Sequence, residues 1–154
     1  MSNRTWRLVQ NIQKWPAGLW LFSKLVAFKA PYFASIKPLF LELKPGYAKA
    51  RLKKRRAVSN HLGTVHAIAM ANLCEFVGGT LMEVSIRPDM RWIPKGMNIR
   101  YLGLAKTNLT AECRIENFDW RERQDVLLLV SVRNESEELV CEAEIPMYVS
   151  ARTG

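Results

Sequence analysis

The stretch Asn60–Gly79, NHLGTVHAIAMANLCEFVGG, carries one carboxylate in a run otherwise suited to burial. Val65, Ala67, Ile68, Ala69, Met70, Ala71, Leu73, Phe76 and Val77 make a helix that is apolar nearly all the way round, the pattern of a helix wrapped by other elements. An acid on such a helix ordinarily occupies its one solvated edge. If the wrapping is complete, Glu75 is instead buried without a partner, which costs several kcal/mol or raises its pKa. A carboxyl shifted in that way is a candidate functional group. The expectation is a buried, functional Glu75.

His66 stands nine residues before Glu75, at the first turn of the same helix. Its imidazole by itself reads as a capping or packing group. The backbone N–H groups around His66, Ala67 and Ile68 are of more chemical interest, because unpaired donors at a helix start hold an oxyanion or a phosphate. Nine residues at about 1.5 Å each place that helix start about 13 Å from Glu75. Within one chain the two cannot act on the same carbonyl. They can if the helix of a second copy runs alongside in the opposite sense, so the chemistry requires a homodimer with two shared sites.

The elements that must position these groups are legible from periodicity. Trp15–Lys29 reads as an amphipathic helix after a loose or helix-starting arm over residues 1–14. Pro38–Leu43 reads as a strand, followed by a Pro45-Gly46 turn. From Tyr47, Ala48, Ala50 and Leu52 alternate with Lys49, Arg51 and Lys53, a half-buried strand with a basic outer face. The central helix is expected over Thr64–Met82, capped by Thr64 or Ser59, with Gly78 and Gly79 near its end. Arg87–Gly96 reads as a loop. Four strands follow: Met97–Leu104, Leu109–Glu116, the more continuously apolar Asp125–Val132, which is expected to be central, and a last strand with Cys141, Ala143, Ile145 and Met147 inward. Short turns between strands imply antiparallel pairing. The fold class is α+β, one curved sheet around one central helix, with residues 1–30 as an added arm and helix and 31–154 as the main domain.

Composition narrows the partners. At 154 residues the chain fits a domain with a real core. Its net charge of +9 is uneven: residues 1–56 hold 13 Lys or Arg and one acid, Glu42. Such a region attracts nucleic acid, anionic lipid or a phosphorylated small molecule, but no nucleic-acid motif accompanies the charge. Cys74, Cys113 and Cys141 form no CxxC pair and fall in apolar patterns, which reads as buried thiols in a reducing, cytoplasmic setting. Two histidines without a ligand cluster give no metal site. Trp15–Phe28 is too short and too charged to span a membrane, and no cleavage site follows it cleanly. It is read as docking on the domain, with contact to a membrane surface as the less favoured alternative.

With these residues in hand, the chain resembles the hotdog-fold acyl-CoA thioesterase superfamily, in the branch with Asn, Gly and His followed by an acid nine residues later. RWIPKGMNIRYL further resembles an uncharacterised bacterial subgroup of that superfamily, a domain of unknown function; the likeness covers about residues 31–150. The resemblance implies a hotdog fold and hydrolysis of an acyl-CoA or acyl-carrier thioester. It places Glu75 as general base or nucleophile. Ala67 N–H, beside His66, becomes the donor that polarises the carbonyl, and Asn60 a positioning amide, both from the opposite subunit. Gly63 and Gly79 fall within the substrate site. Coenzyme A enters as part of the substrate, with no separate cofactor, and Lys95, Arg91, Arg55 and Arg56 are candidates for its phosphates. Trp92 and Pro94 shape an acyl tunnel or pack their loop. A homodimer, or a dimer of dimers, is implied.

Two positions depart from the family pattern. His-Gly-Gly is His66-Ala67-Ile68 here, and the hydroxyl residue one turn after the acid is replaced by Gly79, with Thr80 adjacent but expected to point elsewhere. These departures keep open a non-catalytic acyl or lipid carrier on the same fold. A hydratase is a weaker third reading, because it asks His66 to sit beside the acid.

Overall fold

The computed structural model describes residues 3–116, 119–121 and 123–152. The period-two segments become one antiparallel sheet: β1 (Leu39–Lys44), β2 (Tyr47–Leu52), β3 (Met90–Pro94), β4 (Asn98–Tyr101), β5 (Leu109–Arg114), β6 (Arg123–Arg133) and β7 (Leu139–Ala151). Their order is β1-β2-β5-β6-β7-β3, with β4 also on β7. The central helix α3 (Ala67–Ser85) packs against β1, β2, β3, β5, β6 and β7. Alternation fixes which residues meet it: Ala48, Ala50 and Leu52 of β2 and Leu109 and Ala111 of β5 are all 0% exposed. By length and composition α3 could cross a membrane, but most of it is buried here as the core helix. The expected curved sheet around one helix is what forms.

Two further helices, α1 (Arg4–Ile12) and α2 (Gly18–Lys29), close the remaining side. On α2, Ser23 Oγ accepts the Phe40 N–H of β1 at 2.9 Å and donates to Leu19 O at 2.7 Å. A ladder of rings continues inward: Phe22 lies 6.1 Å from Phe40, and Phe40 stacks on Phe76 of α3 at 4.4 Å. Phe33 meets the edge of Phe76 at 5.4 Å. The helix read from Trp15 therefore docks on the domain.

Four expectations need correction. The arm over residues 1–14 is not loose: α1 is a helix of its own, although Met1 and Ser2 lie outside the described residues. Asn3 explains this, since its Oδ1 accepts the Trp6 N–H while its Nδ2 donates to Glu83 O and Ile86 O, all at 2.7 Å. One side chain thus caps the start of α1 and takes up carbonyls at the end of α3. The second helix begins at Gly18 rather than Trp15, because Ala17 turns the chain with φ 61°. A Cβ on Gly18 would stand 2.0 Å from Ile12 O, so only glycine fits this corner.

The central helix spans Ala67–Ser85 rather than Thr64–Met82, and its cap is His66 rather than Thr64 or Ser59. Gly78 and Gly79 are interior to it. Finally, Arg87–Gly96 is not all loop, since Met90–Pro94 is an edge strand paired with the far half of β7, Trp92 opposite Val149 and Pro94 opposite Met147. A proline is admissible there because an edge strand leaves ladder positions unpaired. Five strands, not four, therefore follow α3. The apolar Asp125–Val132 segment does lie inside the sheet, between β5 and β7.

Candidate active site

The approach to α3 is organised by Asn60. Its Oδ1 accepts the N–H groups of Leu62 at 3.0 Å and Thr64 at 3.2 Å, and its Nδ2 lies 2.9 Å from Thr64 Oγ1. This is an Asx-type turn, in which the side chain imitates a backbone turn. Gly63 sits at its exposed tip with φ +72°, a conformation that glycine adopts without strain. Val65 N–H then bonds Ala105 O and His66 N–H bonds Val58 O, each at 2.8 Å.

The helix start is more fully occupied than the sequence indicated. Ile68 N–H is taken by His66 Nδ1 at 3.1 Å, and Ala69 and Met70 N–H reach His66 O at 2.9 and 3.2 Å. Of the three donors expected to be free around His66, only Ala67 N–H has no partner among the described residues. The imidazole serves as the cap of its own helix, at an exposed position.

Glu75 is exposed, contrary to the buried acid expected. The sheet wraps one side of α3, and along the other Ala67, Ala71 and Glu75 form an i, i+4 row that remains partly or fully open. Glu75 therefore occupies the solvated edge that the bland reading offered. That edge borders a groove of about 400 Å³ lined mainly by apolar side chains, among them Leu8, Phe22, Leu25, Val26 and Phe33.

The far wall of the groove explains the missing hydroxyl. Gly79 lies under the Trp92 indole, and a Cβ there would stand 3.1 Å from Trp92 Cη2. A serine or threonine would have to push the ring aside. Trp92 is held by Nε1–H donation to Glu83 Oε2 at 3.0 Å, and Thr5 donates to Glu83 Oε1 at 2.9 Å. Thr80, expected to point elsewhere, lines this same groove.

Sequence reasoning missed Glu83 because its partners belong to other elements, Thr5 of α1 78 residues before it and Trp92 of β3. It also missed Asn72, which is buried and donates to Ser35 Oγ at 3.2 Å and Tyr32 O at 3.3 Å. Its Oδ1 is buried with no hydrogen-bond donor among the described residues. Asn72 and His66 line a cavity of about 180 Å³ beside the helix start. An asparagine inside an apolar helix was the available signal.

The four basic candidates separate into two places. Arg55 and Arg56 precede the Asn60 turn, and Arg55 Nη2 donates to Ser35 O at 2.7 Å. Arg91 and Lys95 belong to the outer face of the sheet, opposite α3: Arg91 bonds Ser150 Oγ at 3.2 Å and Lys95 pairs with Asp125 at 2.7 Å. Trp92, between them, faces inward. The three cysteines are buried free thiols. Burial pushes the Cys113 thiol up to about 12, and the neighbouring Cys141 together with burial holds Cys74 well above its usual range. Cys113 and Cys74 are therefore poor nucleophiles at neutral pH, whereas the hydrogen bond from Cys74 lowers Cys141, which is itself fully buried. Among the described residues no cluster of His, Cys, Asp and Glu is arranged to hold a metal ion.

In one chain, then, a carboxylate and an unpaired N–H share the open side of one helix, too far apart to meet, beside an apolar groove. A carboxylate can activate water and an N–H can polarise a carbonyl.

Comparison with known proteins completes the description. No curated protein matches the sequence. A structural-genomics crystal structure is 41% identical with TM-score 0.83, over 96% of this chain and 99% of its own. A Pseudomonas aeruginosa protein of unknown function, described as a probable thioesterase, is 23% identical with TM-score 0.79, over 90% of this chain and 97% of its own. A hypothetical thioesterase from Streptococcus pneumoniae, solved with coenzyme A, is 16% identical with TM-score 0.68, over 83% of this chain and 99% of its own. The fold is the hotdog fold that the chain shares with these structures. Residues 18–149 match the family described as a domain of unknown function, DUF4442, and the chain belongs to that family.

Proposed function

We propose that the protein hydrolyses acyl thioesters, with coenzyme A or an acyl carrier as the leaving thiol. The observation that carries this reading is Glu75, the one carboxylate on the open side of α3 beside the apolar groove that is not already bonded, since Glu83 has both oxygens engaged. In this reading the groove takes the acyl chain. Glu75 accepts a proton from water as the water attacks the thioester carbonyl and returns it to the departing thiolate, or it attacks the carbonyl directly to give an anhydride that water then cleaves. Ala67 N–H of a second copy stabilises the oxyanion, and collapse of the tetrahedral intermediate expels the thiolate. Glu75 and Ala67 lie about 12 Å apart along their own helix, so the active species is a homodimer with antiparallel central helices and two shared sites.

Exposure of Glu75 and Ala71 in the single chain supports a partner on that side. The fold shared with thioesterases, one of them solved with coenzyme A, supports the substrate class. In this reading Arg55 and Arg56, which precede the helix start, meet the phosphates. Arg91 and Lys95 are not given that role, because they lie across the sheet from the groove within their own chain.

Asn60 favours a second reading. Its carboxamide is engaged inside its own turn, so one helper of the family pattern is occupied, and with Gly79 under Trp92 a second is absent. A protein of this kind binds acyl groups without cleaving them. The two readings separate in a thiol-release assay over a panel of acyl-CoAs, run beside Glu75→Gln. The hydrolase reading expects release by the unaltered protein and a loss of about 10²–10⁴-fold in the variant, the usual contribution of a general base. Equal turnover by both proteins removes Glu75 from the mechanism. Binding with zero release across the panel establishes the carrier.

A further inference from the structure

We infer that α2 carries a docking face for an anionic membrane surface. One side of this helix packs on the domain through Phe22, Ser23 and Ala27, and the opposite side is open. On that open side Trp20 and Leu21 are 52% and 46% exposed, and Leu25 and Phe28 are 42% and 86% exposed. Trp15, just before the helix, and Tyr32, just after it, are 74% and 69% exposed. A contiguous run of large apolar and aromatic side chains left in water marks a surface with a partner.

The charges choose which partner. Lys24 stands on this face, exposed, with its Nζ 5.7 Å from the Trp20 ring centroid, and Lys29 is exposed at the border between this face and the Glu75 groove. Between Arg4 and Leu41 the chain has six Lys or Arg and no Asp or Glu. Aromatic residues beside lysines whose stems run along apolar surface are the composition of an interfacial helix. A second copy meeting this face through a twofold axis would set lysines against lysines with no acid to offset them. Anionic headgroups supply the opposite charge, and the acyl boundary below them accepts Trp20, Leu25 and Phe28.

Orientation follows from shared residues. Leu25 and Lys29 of the docking face also line the groove that holds Glu75. A chain docked through α2 therefore turns the mouth of that groove toward the bilayer, where long acyl chains partition. This consequence rests on the thioester reading; docking itself does not.

The test is co-sedimentation with phosphatidylcholine vesicles and with vesicles that also contain phosphatidylglycerol. It compares the unaltered chain, Trp20→Ser/Phe28→Ser and Lys24→Gln/Lys29→Gln, with circular dichroism and light-scattering mass recorded for each. Binding is expected only to the anionic vesicles, weakening as salt is raised. Each pair of substitutions should weaken it about tenfold or more at unchanged fold and mass, with acyl-CoA turnover unchanged in Trp20→Ser/Phe28→Ser, whose two positions lie outside the groove. Failure of the unaltered chain to sediment with anionic vesicles at low salt overturns the proposal. So does sedimentation unaffected by either pair, or a fall in solution mass in Trp20→Ser/Phe28→Ser, which would assign the face to a second copy. Loss of turnover in Glu75→Gln with vesicle binding intact bears only on the catalytic reading.

Discussion

On the side of α3 turned to the sheet, Leu73, Cys74, Phe76, Val77 and Leu81 are all 0% exposed. On the other side Ala67, Ala71 and Glu75 remain partly or fully open, bounded by a groove that α1, α2, Phe33 and Trp92 wall off. The same helix is thus core on one side and, in the proposed function, the seat of the chemistry on the other. Glu75 and Phe76, adjacent in sequence, belong to opposite sides. A residue's role here follows from its angular position on the helix rather than from its neighbours in the chain.

The sharpest way to break the comparison is to exchange the expected costs. Phe76→Ala removes a ring stacked on Phe40 and is expected to cost about 3–5 kcal/mol in denaturant unfolding. Glu75→Ala should change stability by no more than about 0.5 kcal/mol, as for an exposed site. Equal stability losses at the two positions would show that Glu75 carries structural weight which its exposure does not suggest.

A smaller effect is expected where the two sides are tied together. Glu83→Ala leaves the Trp92 Nε1–H and Thr5 hydroxyl without their acceptor and should cost about 1–3 kcal/mol. Hydrogen exchange should quicken in α1 and β3 before the rest of the sheet. Uniform quickening would mean that the groove wall is not an independent unit.

The smallest effect belongs to the sheet side alone. Tyr47 is pushed up to about 12 from an ordinary value of 10.0, first by burial and then by its hydrogen bond to Glu112. The unfolded chain therefore loses this proton at lower pH than the folded one. The contribution is fully present below about pH 10 and is lost as pH rises toward 12. Alkaline melting should be shallower in Tyr47→Phe across that window, with no change in any acyl-binding readout.

Much of the fold was legible because the sheet-facing residues repeat at fixed periods. Ala48, Ala50 and Leu52, or Cys141, Ala143, Ile145 and Met147, declare their side two by two. The open side of α3 was not legible, because whether a helix apolar all round is fully wrapped depends on how far the sheet curves and what closes the gap. Asn3, Glu83 and Trp92 close it through bonds between separate elements, Asn3 to Glu83 O across 80 residues and Trp92 to the Glu83 carboxylate from an edge strand, and no local pattern announces such partners. Glu75 was found for a reason that proved wrong in detail, burial, and its exposure makes it accessible to substrate. The capping role of His66 had been weighed for its imidazole, but its consequence for Ile68 N–H emerged only with the geometry. Gly79 looked like a lost hydroxyl until the Trp92 ring accounted for it.

The central claim, that each site joins Glu75 of one chain to Ala67 N–H of another, is tested most directly by mixing two inactive variants. Ala67→Pro deletes the N–H at the first helical position, where proline is well accommodated. His66, with φ −63° and ψ 139°, already has the extended backbone that a following proline demands. Glu75→Gln deletes the carboxylate. After unfolding and refolding together in equal amounts, half the dimers carry one intact site of two, so thioester cleavage should return to about a quarter of the unaltered activity. Two variants that each fold, dimerise and remain inactive when mixed would contradict the shared site.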